Sequence, residues 1–162
     1  MNFPDASLPP ILLVDDSDDD IFFLRHRLRS GGITNPIVTF SATADALAYL
    51  RCAPVERPMP GLLFTDIRMP HGDGFSLIGA IRSRPEWDPV KVVAITCSND
   101  PRDLQRALRI GVDGYLIKFP TPDLLADFIN HGPWFARTGG IREAAVTTIG
   151  SVSPFASRLL CA

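Results

Sequence analysis

ILLVDDSDDD, residues 11–20, runs four consecutive apolar residues into five aspartates spread over six positions. The run Ile11 to Val14 has the length and unbroken apolar character of a strand buried on both faces. Acid follows it at once. Two carboxylates about 4 Å apart repel by roughly 4 kcal/mol at an effective dielectric near 20. Such a cluster protonates, separates or takes up a cation. The stretch therefore requires a metal or a helix terminus to compensate it.

The same punctuation recurs downstream. Strand-length apolar runs follow at Ile37 to Phe40, Leu62 to Phe64, Val90 to Ile95 and Gly114 to Ile117. Helical spacing fills the intervals: Ile21, Leu24 and Leu28 stop at Gly31-Gly32, and Ala44, Leu47 and Leu50 form the next set. Asp100-Pro101 has the form of an N-cap and first helical residue, with Gly111 past the end, and Thr121-Pro122 opens a last helix. Alternating βα units with short connections predict a doubly wound α/β fold, a parallel sheet between two helical layers.

The chain of 162 residues suits one domain of ordinary size. Its formal net charge of -2 gives no electrostatic case for nucleic acid or an anionic membrane as partner. Cys52, Cys97 and Cys161 are odd in number and lack any CxxC pairing, which fits a reducing compartment. The N-terminus has no basic, apolar leader and no run approaches a membrane span, so the expected location is cytoplasmic. The expected organisation is an N-terminal extension at 1–8, a domain at 9–131 and a tail at 132–162. Rich in Gly, Ser, Thr and Pro, the tail is too short for an output domain; Trp134, Phe135, Phe155, Leu159 and Leu160 would suit a dimerisation arm.

Ligands of open parallel sheets bind beyond the carboxyl ends of the strands, where strand order reverses. Asp15-Asp16 end the first strand, Thr65-Asp66 the third, Thr96 the fourth and Lys118 the fifth, whereas Phe40-Ser41 at the second offers nothing strongly reactive. That distribution fits the order 2-1-3-4-5. Carboxylates from adjacent strands make an oxygen-rich site for a hard dication such as Mg²⁺. A lysine and a threonine opposite them would hold phosphoryl oxygens, with Asp66 as the nucleophile.

ILLVDD, LLFTDIRMPHGDG, VVAITCS and GYLIK, in this order and spacing, resemble the receiver domain of bacterial two-component response regulators over about residues 9 to 130. The resemblance implies a flavodoxin-like (βα)5 three-layer sandwich. Asp66 would accept a phosphoryl group from the phosphohistidine of a sensor histidine kinase. Asp16 and Asp66, with the backbone carbonyl of Arg68, would bind Mg²⁺ directly, and Asp15 through water. Lys118 would pair with the phosphoryl group, Thr96 would shift to bond it, and Tyr115 would follow inward as an aromatic switch. The layout is similar to stand-alone receivers paired with phytochrome-type kinases, so a bacteriophytochrome is the narrower expected partner. The signal would leave by a change in the α4-β5-α5 region, by phosphorelay or through a homodimer.

Against each role stands a plainer one. Asp18, Asp19 and Asp20 are expected to complement the helix dipole and need not touch metal. Arg25, Arg27 and Arg29 suit a kinase-docking face or a solvated helix face equally, and His26, His71 and His131 lack ligand spacing. Two departures from the family pattern stand out. Phe119 follows Lys118 where the family has a cis proline. A cis bond before a non-proline costs roughly 2.5 to 4 kcal/mol, so a trans Lys118-Phe119 bond is predicted. Cys97 stands where the family has a small alanine or glycine after the threonine; with Arg68, at a position facing the phosphoryl group, it is expected to restrict water there and slow dephosphorylation.

Other functions fit less well. A haloacid-dehalogenase-like phosphotransferase would want Thr or Val at Asp20 and an acidic pair after the lysine, and leaves Asp66 unexplained. A calcium loop from Asp16 would have Ile21 and Arg27 where Gly and Glu belong, and no G-x-G-x-x-G follows a strand. A receiver that has lost phosphotransfer and only binds remains open, given Phe119.

Overall fold

The computed structural model describes residues 8–56, 58–70 and 72–131. The expected tail at 132–162 and nearly all of the 1–8 extension lie outside the described residues. Five strands and five helices alternate: β1 (Ile11–Val14), α1 (Asp18–Ser30), β2 (Ile37–Phe40), α2 (Thr43–Glu56), β3 (Leu62–Thr65), α3 (Gly74–Arg82), β4 (Lys91–Thr96), α4 (Pro101–Ile110), β5 (Gly114–Ile117) and α5 (Pro122–His131). All four strand pairings are parallel and the sheet order is β2-β1-β3-β4-β5, as the distribution of reactive strand ends predicts.

Because successive strand residues face opposite ways, each strand feeds two cores. Leu12, Val14 and Leu63 pack toward α2, α3 and α4, meeting Leu50, Ile78, Ile81 and Ala107. Ile11, Leu13, Phe64 and Val93 pack on the other side with Leu24 and Leu28 of α1 and Leu125 and Phe128 of α5. A 3-10 turn at Pro85–Trp87 tucks the Trp87 ring into the first core, with the Arg84 guanidinium 4.8 Å from the ring centroid.

Helix starts follow the local chemistry. Ser17 caps α1 by accepting the Asp20 N–H, Asp73 caps α3 by accepting the Phe75 N–H, and Asp100 caps α4 with Pro101 behind it. Gly111 ends α4 at φ 104°, in the left-handed region that a side chain disfavours. At the amino end of β5, Asp113 is wholly buried, yet it accepts from the Val92 N–H and pairs with Arg82 and Lys91. This clasp ties α3 to β4 and β5.

The expectation of a trans Lys118-Phe119 bond is overturned: that bond is cis, and it is the one cis bond among the described residues. The expectation weighed the bond in a free peptide. Here the loop is held at both ends, by the Lys118 N–H on the Thr96 carbonyl at 3.0 Å and by Arg27 Nη1 on the Pro120 carbonyl at 2.9 Å.

Candidate phosphoacceptor site

The ladder brings the acids together. Val14 pairs with Thr65, so Asp15 and Asp66 emerge side by side, their own N–H groups still bonded to Phe40 and Val14 carbonyls. Both are buried, at 6% and 8% exposure. Thr96 ends β4 opposite Ile117, which places Lys118 at the same edge of the sheet. Its side chain, 3% exposed, reaches back to the acids. Lys118 Nζ lies 2.6 Å from Asp15 Oδ2, 2.7 Å from Asp66 Oδ2 and 2.7 Å from Asp20 Oδ2.

Asp20 is the residue that sequence reasoning placed elsewhere. It was expected only to complement the α1 terminus; its carboxylate instead completes the pocket. Asp16, expected as a direct metal ligand, is exposed and lies outside the cluster. Asp18 and Asp19 are exposed on the first turn of α1. The legible signal for Asp20 was Ser17: an N-cap there puts Asp20 at the third helical position, one turn above the strand end. Arg68 contributes its N–H to Asp66 Oδ1 at 3.1 Å, while its guanidinium turns to Asp103. His26 is exposed on α1, and the described residues exclude His71.

Three carboxylates share one ammonium here, leaving two negative charges in excess. Burial alone would lower the Lys118 pKa, but its bonds to Asp15, Asp20 and Asp66 outweigh that and hold it above the usual lysine value. Burial pushes the Asp15 carboxyl up, against the pull of Lys118 and the Ser17 N–H. Oxygens of Asp15, Asp20 and Asp66 lie within 4.8 Å of one another. An all-oxygen, partly buried donor set with charge in excess fits a hard dication.

Two neighbours complete the surroundings. Thr96 is buried and its hydroxyl accepts the Ser98 N–H at 3.1 Å. Tyr115 is already inward, at 7% exposure, with its hydroxyl donating to the Ser98 carbonyl at 3.4 Å. Burial, then the Asp103 charge, pushes the Tyr115 hydroxyl well above its ordinary pKa, so it stays a donor. Cys97 is exposed beside Thr96.

The comparisons agree with this geometry. Residues 11–130 match the response regulator receiver domain. Response regulator Rcp1 of Synechocystis sp. is 29% identical over 118 residues, covering 70% of this chain and 80% of its own. An uncharacterised 14.6 kDa protein of Leptolyngbya boryana is 40% identical over 109 residues, covering 67% of this chain and 77% of its own. Among solved structures, the bacteriophytochrome response regulator AtBRR is 26% identical with a TM-score of 0.67, covering 80% of this chain and 95% of its own. No helix among the described residues is long and apolar enough to cross a membrane. A match over residues 11–130, on a sheet that sets Asp15, Asp66 and Lys118 together, makes the chain a member of the response regulator receiver family, related to Rcp1 and the phytochrome response regulators.

Proposed function

We propose that Asp66 accepts a phosphoryl group from the phosphohistidine of a sensor histidine kinase, and that the 9–131 unit catalyses both this transfer and its own dephosphorylation. The observation that carries the reading is the Lys118 ammonium held at 2.7 Å from Asp66 Oδ2 and 2.6 Å from Asp15 Oδ2 at the edge of a receiver sheet. In the transfer an Asp66 oxygen attacks phosphorus, the phosphorus–nitrogen bond breaks, and its electron pair stays on the imidazole. The new acyl phosphate carries more charge than the carboxylate it replaces. Lys118 pairs with that charge and the Thr96 hydroxyl donates to it once it leaves Ser98. Asp15, Asp20 and Asp66 would hold Mg²⁺, which supplies charge neutralisation for the phosphoryl oxygens when bound.

A donor protein must reach the mouth of this pocket, and the surface there suits one. Phe119 directly follows Lys118, its ring centroid is 6.0 Å from that of Phe23, and Phe22 lies 5.9 Å beyond. These exposed rings, with Arg25 on the same helix, would seat the kinase helix that bears the histidine. A phytochrome-type kinase is the favoured donor, since the bacteriophytochrome response regulator AtBRR shares this fold. Output would pass through α4, β5 and α5 or by onward relay.

The test is radiolabel transfer from a phosphorylated histidine kinase. Label should reach the wild-type chain and be absent from Asp66→Asn. Label that persists in Asp66→Asn would move the acceptor elsewhere; binding without label would make the chain a docking module.

A further inference from the structure

Close to the phosphoacceptor in sequence, one charged group forms an ion pair outside the acid pocket, the Arg68 guanidinium. Its Nε and Nη2 donate to Asp103 Oδ2 at 3.0 and 2.7 Å. The same oxygen accepts from Ser98 Oγ. Asp103 lies in the first turn of α4 at 9% exposure, an unusual burial for a carboxylate that touches neither Lys118 nor the acid pocket. Ser98 is the hub of what surrounds it. Its N–H bonds Thr96 Oγ1, its Oγ accepts the Asp100 N–H at 3.2 Å, and its carbonyl accepts the Tyr115 hydroxyl. The phosphoacceptor loop, Thr96, Tyr115 and the start of α4 are thus joined through one ion pair.

Charge decides what that ion pair does. A phosphoryl group carries about 1.5 to 2 negative charges near neutral pH, against one for a carboxylate. The guanidinium fork suits either partner. Arg68 is anchored two residues from Asp66 by its own N–H, and its side chain is 62% exposed, so it is free to swing. Resting on the phosphoacceptor reading, we propose that Arg68 exchanges partners: Asp103 is a positioning residue that holds the guanidinium on α4 until Asp66 is phosphorylated. Arg68 then covers the phosphoryl group. Hydrolysis requires a water oxygen to attack phosphorus while the bond to the Asp66 oxygen breaks, returning its electron pair to the carboxylate and releasing orthophosphate and a proton. A guanidinium in the path of that water slows the step. Asp103, left with Ser98 alone, loosens the first turn of α4.

The full chain, labelled with radioactive acetyl phosphate and freed of the donor, gives the lifetime of phospho-Asp66 directly. Arg68→Ala should shorten it by about two- to fivefold, as expected for an exposed pair. Asp103→Asn, by releasing Arg68 to the phosphoryl group, should lengthen it by a similar factor, and the double variant should decay like Arg68→Ala alone. An Asp103→Asn effect that persists without Arg68, or lifetimes indifferent to both substitutions, overturns the exchange. Should Asp103→Asn fail to fold, the Arg68 Nε–H resonance of the ¹⁵N-labelled wild type, identified by its loss in Arg68→Ala, serves instead. It should move on phosphorylation, and an unmoved resonance overturns the exchange. A wild-type chain that takes no label overturns the phosphoacceptor reading and the exchange with it, whereas label with unchanged lifetimes sinks the exchange alone.

Discussion

Asp20 and Lys118 meet at 2.7 Å across 98 residues of chain, and that contact shows where reading residues one at a time stops. Asp15, Asp66, Thr96 and Lys118 were legible because each directly follows or ends an apolar strand, and a parallel sheet lines up such positions at one edge. Asp20 sits on a helix, where its direction depends on the residue at which that helix begins. Asp16 follows Asp15 directly but is exposed, outside the group that Asp15, Asp20 and Asp66 form. The Arg68–Asp103 pair, 35 residues apart with one partner in the loop after β3 and the other in α4, had no local signal at all. The Asp16 and Asp20 assignments are separable by measurement. Asp20→Asn should weaken divalent-cation binding by at least about tenfold, since affinity follows ligand charge and placement. Asp16→Asn should leave it nearly unchanged, and titration of each variant with Mg²⁺ by calorimetry checks both.

The helices began where short-range chemistry said they would. Asp100 accepts from the Arg102 N–H at 2.9 Å as the cap of α4 and also pairs with the Arg102 side chain, and that side-chain bond, with the cap bond second, holds its carboxyl below the usual range. A depressed folded pKa contributes stability that is present above the unfolded value and is lost as pH falls through the folded one. Asn caps as well as Asp. Asp100→Asn, which keeps the cap but loses the ion pair, should therefore be slightly less stable than the wild type in urea denaturation at neutral pH, with the gap closing on acidification. Gly74, the first residue of α3, answers to a different constraint. A Cβ there would lie 2.0 Å from the Asp66 carbonyl oxygen and 2.8 Å from Ile67 Cα. Gly74→Ala should cost about 1 to 3 kcal/mol in urea denaturation, as overpacking does. It should also slow phosphoacceptance, because the nearest displaced atom is the carbonyl oxygen of Asp66 itself.

At the scale of the whole molecule the alternation of strand and helix was enough to predict a parallel sheet between two helical layers, and the reactive strand ends its order, since such sheets admit few arrangements. What it could not supply was the closing of the loop after β5, where contacts from β4 and α1 decide the backbone. Phe64 joins the central strand to both α1 and α5 and is fully buried. Phe64→Ala should cost about 3 to 5 kcal/mol, a large share of the roughly 5 to 15 kcal/mol that domains of this kind possess. Equilibrium denaturation with urea reads it. Trp87 provides the means. It is 2% exposed in the core beside α3, under the Arg84 guanidinium and remote in the fold from Lys118. In a Trp134→Phe background its indole becomes the sole intrinsic fluorophore of that class, so its emission reports loss of the packed state while staying silent to the chemistry at Asp66. One optical channel then separates variants that unfold the protein from those that only disable it.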